Sequence, residues 1–259
     1  MSVYRSRFRR PSEFGDVWRK KPKKTPERER FDATFESLLL FANAHFASCV
    51  YFEPPIEDDE MALRAFRIML DTWDNETVIR EFAEMQPAAF TGVDYELAQS
   101  WGSGFVGPMA CMKTNGDRAF MLCEGYVFEA RSLGRSWDSM VPYAPDMVVT
   151  GLLPYEDSII GSGLLMHHRC HMQGPGVERI RYEFEQGKKR GVISDAESFV
   201  EAAKSIKERR RTEGLDPTSY TSFYDYISQM NARLGYSSFP YFPNVDVRPW
   251  TEAEQAFHA

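Results

Sequence analysis

The chain has 259 residues, 43% of them apolar and 14% aromatic, with a formal net charge of −7. That composition supplies a core, lacks the low-hydrophobicity signature of disorder, and contains no run near the roughly 20 apolar residues that cross a bilayer. Residues 1–30 hold eleven Lys/Arg against four Asp/Glu, a net of +7, so the rest sums to −14, and such a body repels the phosphate backbone of nucleic acids.

Residues 1–30 interleave basic residues with Tyr4, Phe8, Phe14, Trp18 and three prolines. No helical or strand period survives there, and an extended basic arm is expected. Such an arm is first a solubilising tail and second a means of holding nucleic acid or another acidic partner. No apolar stretch follows Arg5, Arg7, Arg9 and Arg10. The expectation is therefore no secretory signal, no membrane and a cytoplasmic location.

A helical group follows over residues 31–101. Phe31, Phe35, Leu38, Leu39, Ala42 and Phe46 form one stripe at the 3.6-residue period. After Pro54-Pro55, an acidic turn opens a second helix with Met61, Phe66, Met69 and Leu70 on its apolar face. Asp74 or Asn75 caps a third helix, which Pro87 stops, and Thr91 or Asp94 caps a short fourth ending near Trp101.

Residues 103–166 change to short apolar runs. Phe105–Met112 pairs with Arg118–Cys123 across Asn115-Gly116, a dipeptide suited to a tight hairpin. Tyr126–Ala130 makes a third strand, and Met147–Leu153 with Ser158–Leu165 make two more. Residues 174–234 read as helical again, with Ser194 or Asp195 capping a helix that ends in Arg209-Arg210-Arg211, and an aromatic helix from Tyr220 to about Leu234. The aromatic tail 235–259 is expected to pack on the body. The fold class is α+β: a central antiparallel β-meander or small barrel between N-terminal and C-terminal helical groups, in one domain over residues 31–259.

The sharpest chemical cluster is His167-His168-Arg169-Cys170-His171. Imidazole and thiolate are the preferred ligands of zinc, so His167, His168, Cys170 and His171 are the candidate metal ligands and zinc the candidate cofactor. The competing reading is a polar strand end whose histidines pair with carboxylates. Gly161-Ser162-Gly163 and Gly174-Pro175-Gly176, with Arg179 and Arg181, could offer backbone N–H groups to an anion; turn glycines explain them as well. Ser162 lacks the G-x-S-x-G spacing of a nucleophile elbow. Cys49, Cys111, Cys123 and Cys170 show no CxxC spacing and are expected to be free thiols.

Several ordered segments resemble an uncharacterised prokaryotic protein family of unknown function. They are Phe82-Ala83-Glu84-Met85-Gln86-Pro87, Gln99-Ser100-Trp101, the run from Val149 to Ile160, and Gly161-Ser162-Gly163-Leu164-Leu165 followed by Gly174-Pro175-Gly176. The resemblance spans roughly residues 35–195. Family members carry an Asp where Ser162 stands and an aromatic where Gln173 stands. The resemblance implies helices around a β-meander, and neither a known activity nor site residues.

Three functions are compatible with these features. In the absence of catalytic motifs the first is a non-enzymatic intracellular binding or regulatory protein with a protein partner. The second is a metal-binding protein or metal-dependent hydrolase using the 167–171 cluster. The third is a nucleic-acid-associated protein acting through residues 1–30.

Overall fold

A computed structural model describes residues 25–168 and 175–212. The basic arm up to residue 24, the aromatic helix read over 220–234 and the tail from 235 lie outside the described residues.

Local chemistry starts each helix. In α1 (Pro26–Phe46) the Thr25 hydroxyl accepts the Arg28 N–H at 3.1 Å, Pro26 sits in the first turn, and Glu27 and Glu29 face the positive end of the helix. Residues 26–30, read from sequence as the end of the arm, therefore belong to this helix. Asp58 caps α2 (Asp59–Asp74), Asn75 caps α3 (Glu76–Met85) and Asp94 caps α4 (Tyr95–Ser100), each by accepting a first-turn N–H. A short 3₁₀ turn, Trp101–Ser103, leads into the sheet.

These helices bury one continuous cluster. Phe31 and Phe35 meet Trp101 with ring centroids 5.2 and 5.9 Å apart, and Trp73 Nε1 donates to the Trp101 carbonyl at 3.0 Å. Phe31 is fully buried, a burial worth roughly 1.5–3 kcal/mol. The cluster continues onto Val106, Val149, Leu153, Tyr155, Ile160 and Leu164 of the strands, so the helical group covers the outside of the sheet.

The strands are β1 (Phe105–Asn115), β2 (Arg118–Cys123), β3 (Tyr126–Arg131), β4 (Asp146–Tyr155), β5 (Ser158–His168) and β6 (Val192–Ile193). Their order is β2-β1-β4-β5-β3-β6, and β2 also pairs with β3. The fold is α+β as expected, and the central sheet, read from sequence as an antiparallel meander or small barrel, is mixed. The β4–β5 hairpin folds back onto β1, and β3 runs parallel to both β5 and β6. Pairing thus runs in a circuit through β1, β2, β3, β5 and β4, completed by the single bridge Arg131↔Ile160.

Alternation along the strands separates two sides. Phe105, Met109 and Cys111 of β1 face an inner cluster with Met121, Phe128, Val148, Leu152 and Ile159. Their neighbours Val106, Val149, Leu153 and Ile160 join the helical cluster instead. Both faces are covered, which is why these strands read as continuous apolar runs and not as clean alternation.

Three helices complete the body. The connection before β4 contains α5 (Trp137–Met140), not foreseen from sequence; its Trp137 is 1% exposed, and a Cβ at Gly161 would stand 2.5 Å from the indole. α6 (Pro175–Arg190) continues through Gly187. A Cβ there would meet Val127 Cγ2 at 2.6 Å, so the glycine lets the helix lie against β3. α7 (Ala196–Thr212) inserts Phe199, Ala202, Ala203 and Ile206 into the inner cluster.

Arg210 secures α7 and is itself buried, at 5% exposure. Its Nε donates to Glu124 Oε1 at 2.7 Å, its Nη1 to the Val106 carbonyl at 3.0 Å, and its guanidinium lies 5.5 Å from the Phe105 ring centroid. Gly107 makes room for it, because a Cβ there would come within 2.6 Å of Nη1.

Candidate functional site

Strand β5 runs three residues further than the sequence suggested, to His168, which places His167 and His168 in the ladder opposite Val148 and Met147 of β4. β4 begins one residue before Met147, at Asp146, which in turn sits opposite Cys111 of β1. His167 and Asp146 meet here: Nδ1 lies 2.8 Å from Oδ2, with the side chains 24% and 22% exposed. A carboxylate can only accept, so Nδ1–H is the donor, and in the neutral tautomer that this bond selects the lone pair is on Nε2. This is the arrangement in which a carboxylate orients a metal-ligating imidazole.

Beside the pair, β1 changes register between Cys111 and Lys113, a bulge at Met112 after which the ladder with β2 resumes at Lys113↔Phe120. Cys111 is fully buried, and burial first, then the nearby Asp146 charge, pushes its thiol up to about 12. It is therefore a protonated thiol at neutral pH, and neither a nucleophile nor a ready ligand. Burial likewise pushes Cys49 up to about 11 and Cys123 up to about 12. All three are free thiols, as expected.

Of the four candidate ligands, the structure gives a partner to His167. The side chain of His168, together with Cys170 and His171, lies outside the described residues. Among the described residues no group of three or more His, Cys, Asp or Glu is gathered closely enough to hold a metal ion.

The glycine-bracketed stretch resolves into backbone geometry. Ser162 is 2% exposed; its hydroxyl accepts the Gly151 and Leu164 N–H groups at 3.3 Å each and donates to the Leu164 carbonyl at 3.2 Å. It bridges the register shift between β4 and β5, where Gly163 adopts a positive φ of 81°. Arg179 is exposed and bonded to Glu183, one turn along α6, at 2.9 Å.

Sequence reasoning overlooked Asp146. The signal was present in a weak form, as an acid at the start of an apolar run just after Pro145. Its match with His167, 21 residues away, depends on hairpin register. No family model matches the chain, nor does any curated protein or solved structure. Among the described residues, no helix is long and apolar enough to cross a membrane.

Proposed function

We propose that the chain is a binding protein whose ligand is a transition-metal ion, zinc first, taken up where the β4–β5 hairpin ends. The observation that supports this reading is the Asp146–His167 pair, which presents an oriented imidazole nitrogen at a partly exposed strand end. His168, Cys170 and His171 follow within four residues. They are the nearest along the sequence to carry further nitrogen and sulfur, the donor types zinc prefers. A binding role fits better than catalysis because Ser162 is occupied by backbone bonds and the described thiols are held protonated.

The test is elemental analysis and calorimetric zinc titration of untagged protein purified without chelators. Near-stoichiometric metal that disappears in His167→Ala is the expected result. Asp146→Asn, which removes the orienting carboxylate, is expected to weaken affinity by about 10- to 100-fold. Metal-free protein that takes up no zinc would reduce the pair to a polar contact. Uptake unaffected by His167→Ala would move the ligands elsewhere.

A further inference from the structure

Two open grooves flank the N-terminal half of α7 and share Glu197. One, of about 450 Å³, lies against Tyr126, Ile193 and Ala202. The other, of about 420 Å³, lies between α7, α4 and the β4–β5 turn, over Leu97, Pro154 and Val200. Both combine an apolar floor with acidic walls. Glu197 and Glu201 stand on the first, Glu96, Glu156 and Glu197 on the second. The one base lining either groove, Arg30, is already held by Asp94 at 2.5 Å and Glu156 at 3.1 Å.

We propose that these grooves are the docking surface for the chain's own basic arm, residues 1–24. Three observations argue for that occupant. The arm carries nine Lys/Arg against two Asp/Glu, a net of +7, with Trp18, Phe14, Phe8 and Tyr4 spaced among the charges. An acidic rim over an apolar floor is complementary to that pattern. The arm also enters beside the second groove: it joins α1 at Thr25, five residues before the groove residue Arg30, a helical rise of about 7.5 Å. Twenty-four extended residues reach about 80 Å, so length does not limit access to either groove.

The other long segment outside the described residues fits worse. Residues 213–259 hold six Asp/Glu against two Arg, a net of −4, and would meet like charge on these rims. Docking in this way would withdraw the arm's positive charge from acidic partners until one of them competed for it.

Carbodiimide coupling of the full-length protein, read by mass spectrometry, tests the proposal by joining lysine amines directly to carboxylates they contact. Lys20 and Lys21 are expected to couple to Glu96, Glu156, Glu197 or Glu201 at low salt. The same products should fall away in 1 M salt, where charges separated by more than about 3 Å are screened. In Glu197→Lys/Glu201→Lys, both exposed positions, the yield is expected to drop roughly threefold or more; an unchanged circular dichroism spectrum would show that the fold is kept. Mixing heavy- and light-isotope protein separates contacts within one chain from contacts between copies. Coupling confined to mixed-mass pairs, coupling spread equally to Glu60, Glu84 and Glu178, or no coupling to the four rim acids would each overturn the proposal.

Discussion

Two carboxylates, Glu124 in the β2–β3 turn and Asp146 at the start of β4, hold basic side chains in different surroundings. Arg210 and Glu124 are 6% and 13% exposed in their side chains, and the guanidinium also bonds the Val106 carbonyl and packs on Phe105. His167 and Asp146 are about a quarter exposed, and one ring nitrogen is left over once the pair has formed. The first pair serves packing, since the guanidinium meets Glu124, the Val106 carbonyl, Cys123 Sγ and the Phe105 ring. The second is only partly enclosed, so its perturbation should show in binding more than in stability.

That contrast can be broken experimentally. Arg210→Ala leaves the nearly buried Glu124 with only the longer contact to Arg209 at 3.8 Å, and is expected to cost about 3 kcal/mol in urea denaturation. Glu124→Leu/Arg210→Met, which removes both charges, should cost clearly less than Arg210→Ala alone. A loss below about 1 kcal/mol for Arg210→Ala would place the buried pair in the same class as an exposed one. Gly107→Ala pushes a methyl group against the guanidinium and is expected to cost roughly 1–2 kcal/mol by overpacking. If Arg210→Ala suppresses that cost, the two positions are coupled as the geometry requires.

At the other pair, Asp146→Asn should change the unfolding free energy by less than about 1 kcal/mol. A larger loss would make the pair chiefly structural and weaken its claim as a ligand site.

The smallest effect is expected at Glu36 of α1. Burial raises its carboxyl above the usual 4.5, against a bond from the Ile56 N–H. The folded state therefore favours the protonated form, and the cost of the buried charge is incurred as pH rises through the raised folded value. Glu36→Gln keeps an acceptor for Ile56 and should stabilise the protein at pH 7, with the gain fading as pH falls to about 4. A pH-independent difference between the two proteins in urea melts would exclude this account.

The described part of the fold divides cleanly into what neighbours along the chain decide and what they do not. Asn75, Asp94 and Asp195, each one of two residues the sequence offered as a cap, were readable because the bond that each side chain accepts lies two or three residues ahead. The hairpin was readable for the same reason, but its turn is one residue later than expected: Asn115 pairs with Arg118, and Gly116-Asp117 make the turn, with Gly116 at a φ of 64°. The short α5 was missed because four residues offer no period to detect. The end of β5 was placed at Leu165 instead of His168 because histidines break an apolar run without breaking a ladder.

The α+β class, the helical group before the strands and the cluster of candidate ligands at 167–171 were determined by the sequence itself, since periodicity, caps and residue chemistry are local properties. The tertiary structure alone decided that β3 lies parallel to β5, that Arg210 reaches Glu124 across 86 residues, and that Asp146 meets His167 across 21. Contacts at such separations depend on strand register and on the closing of long loops, which no window along the chain contains.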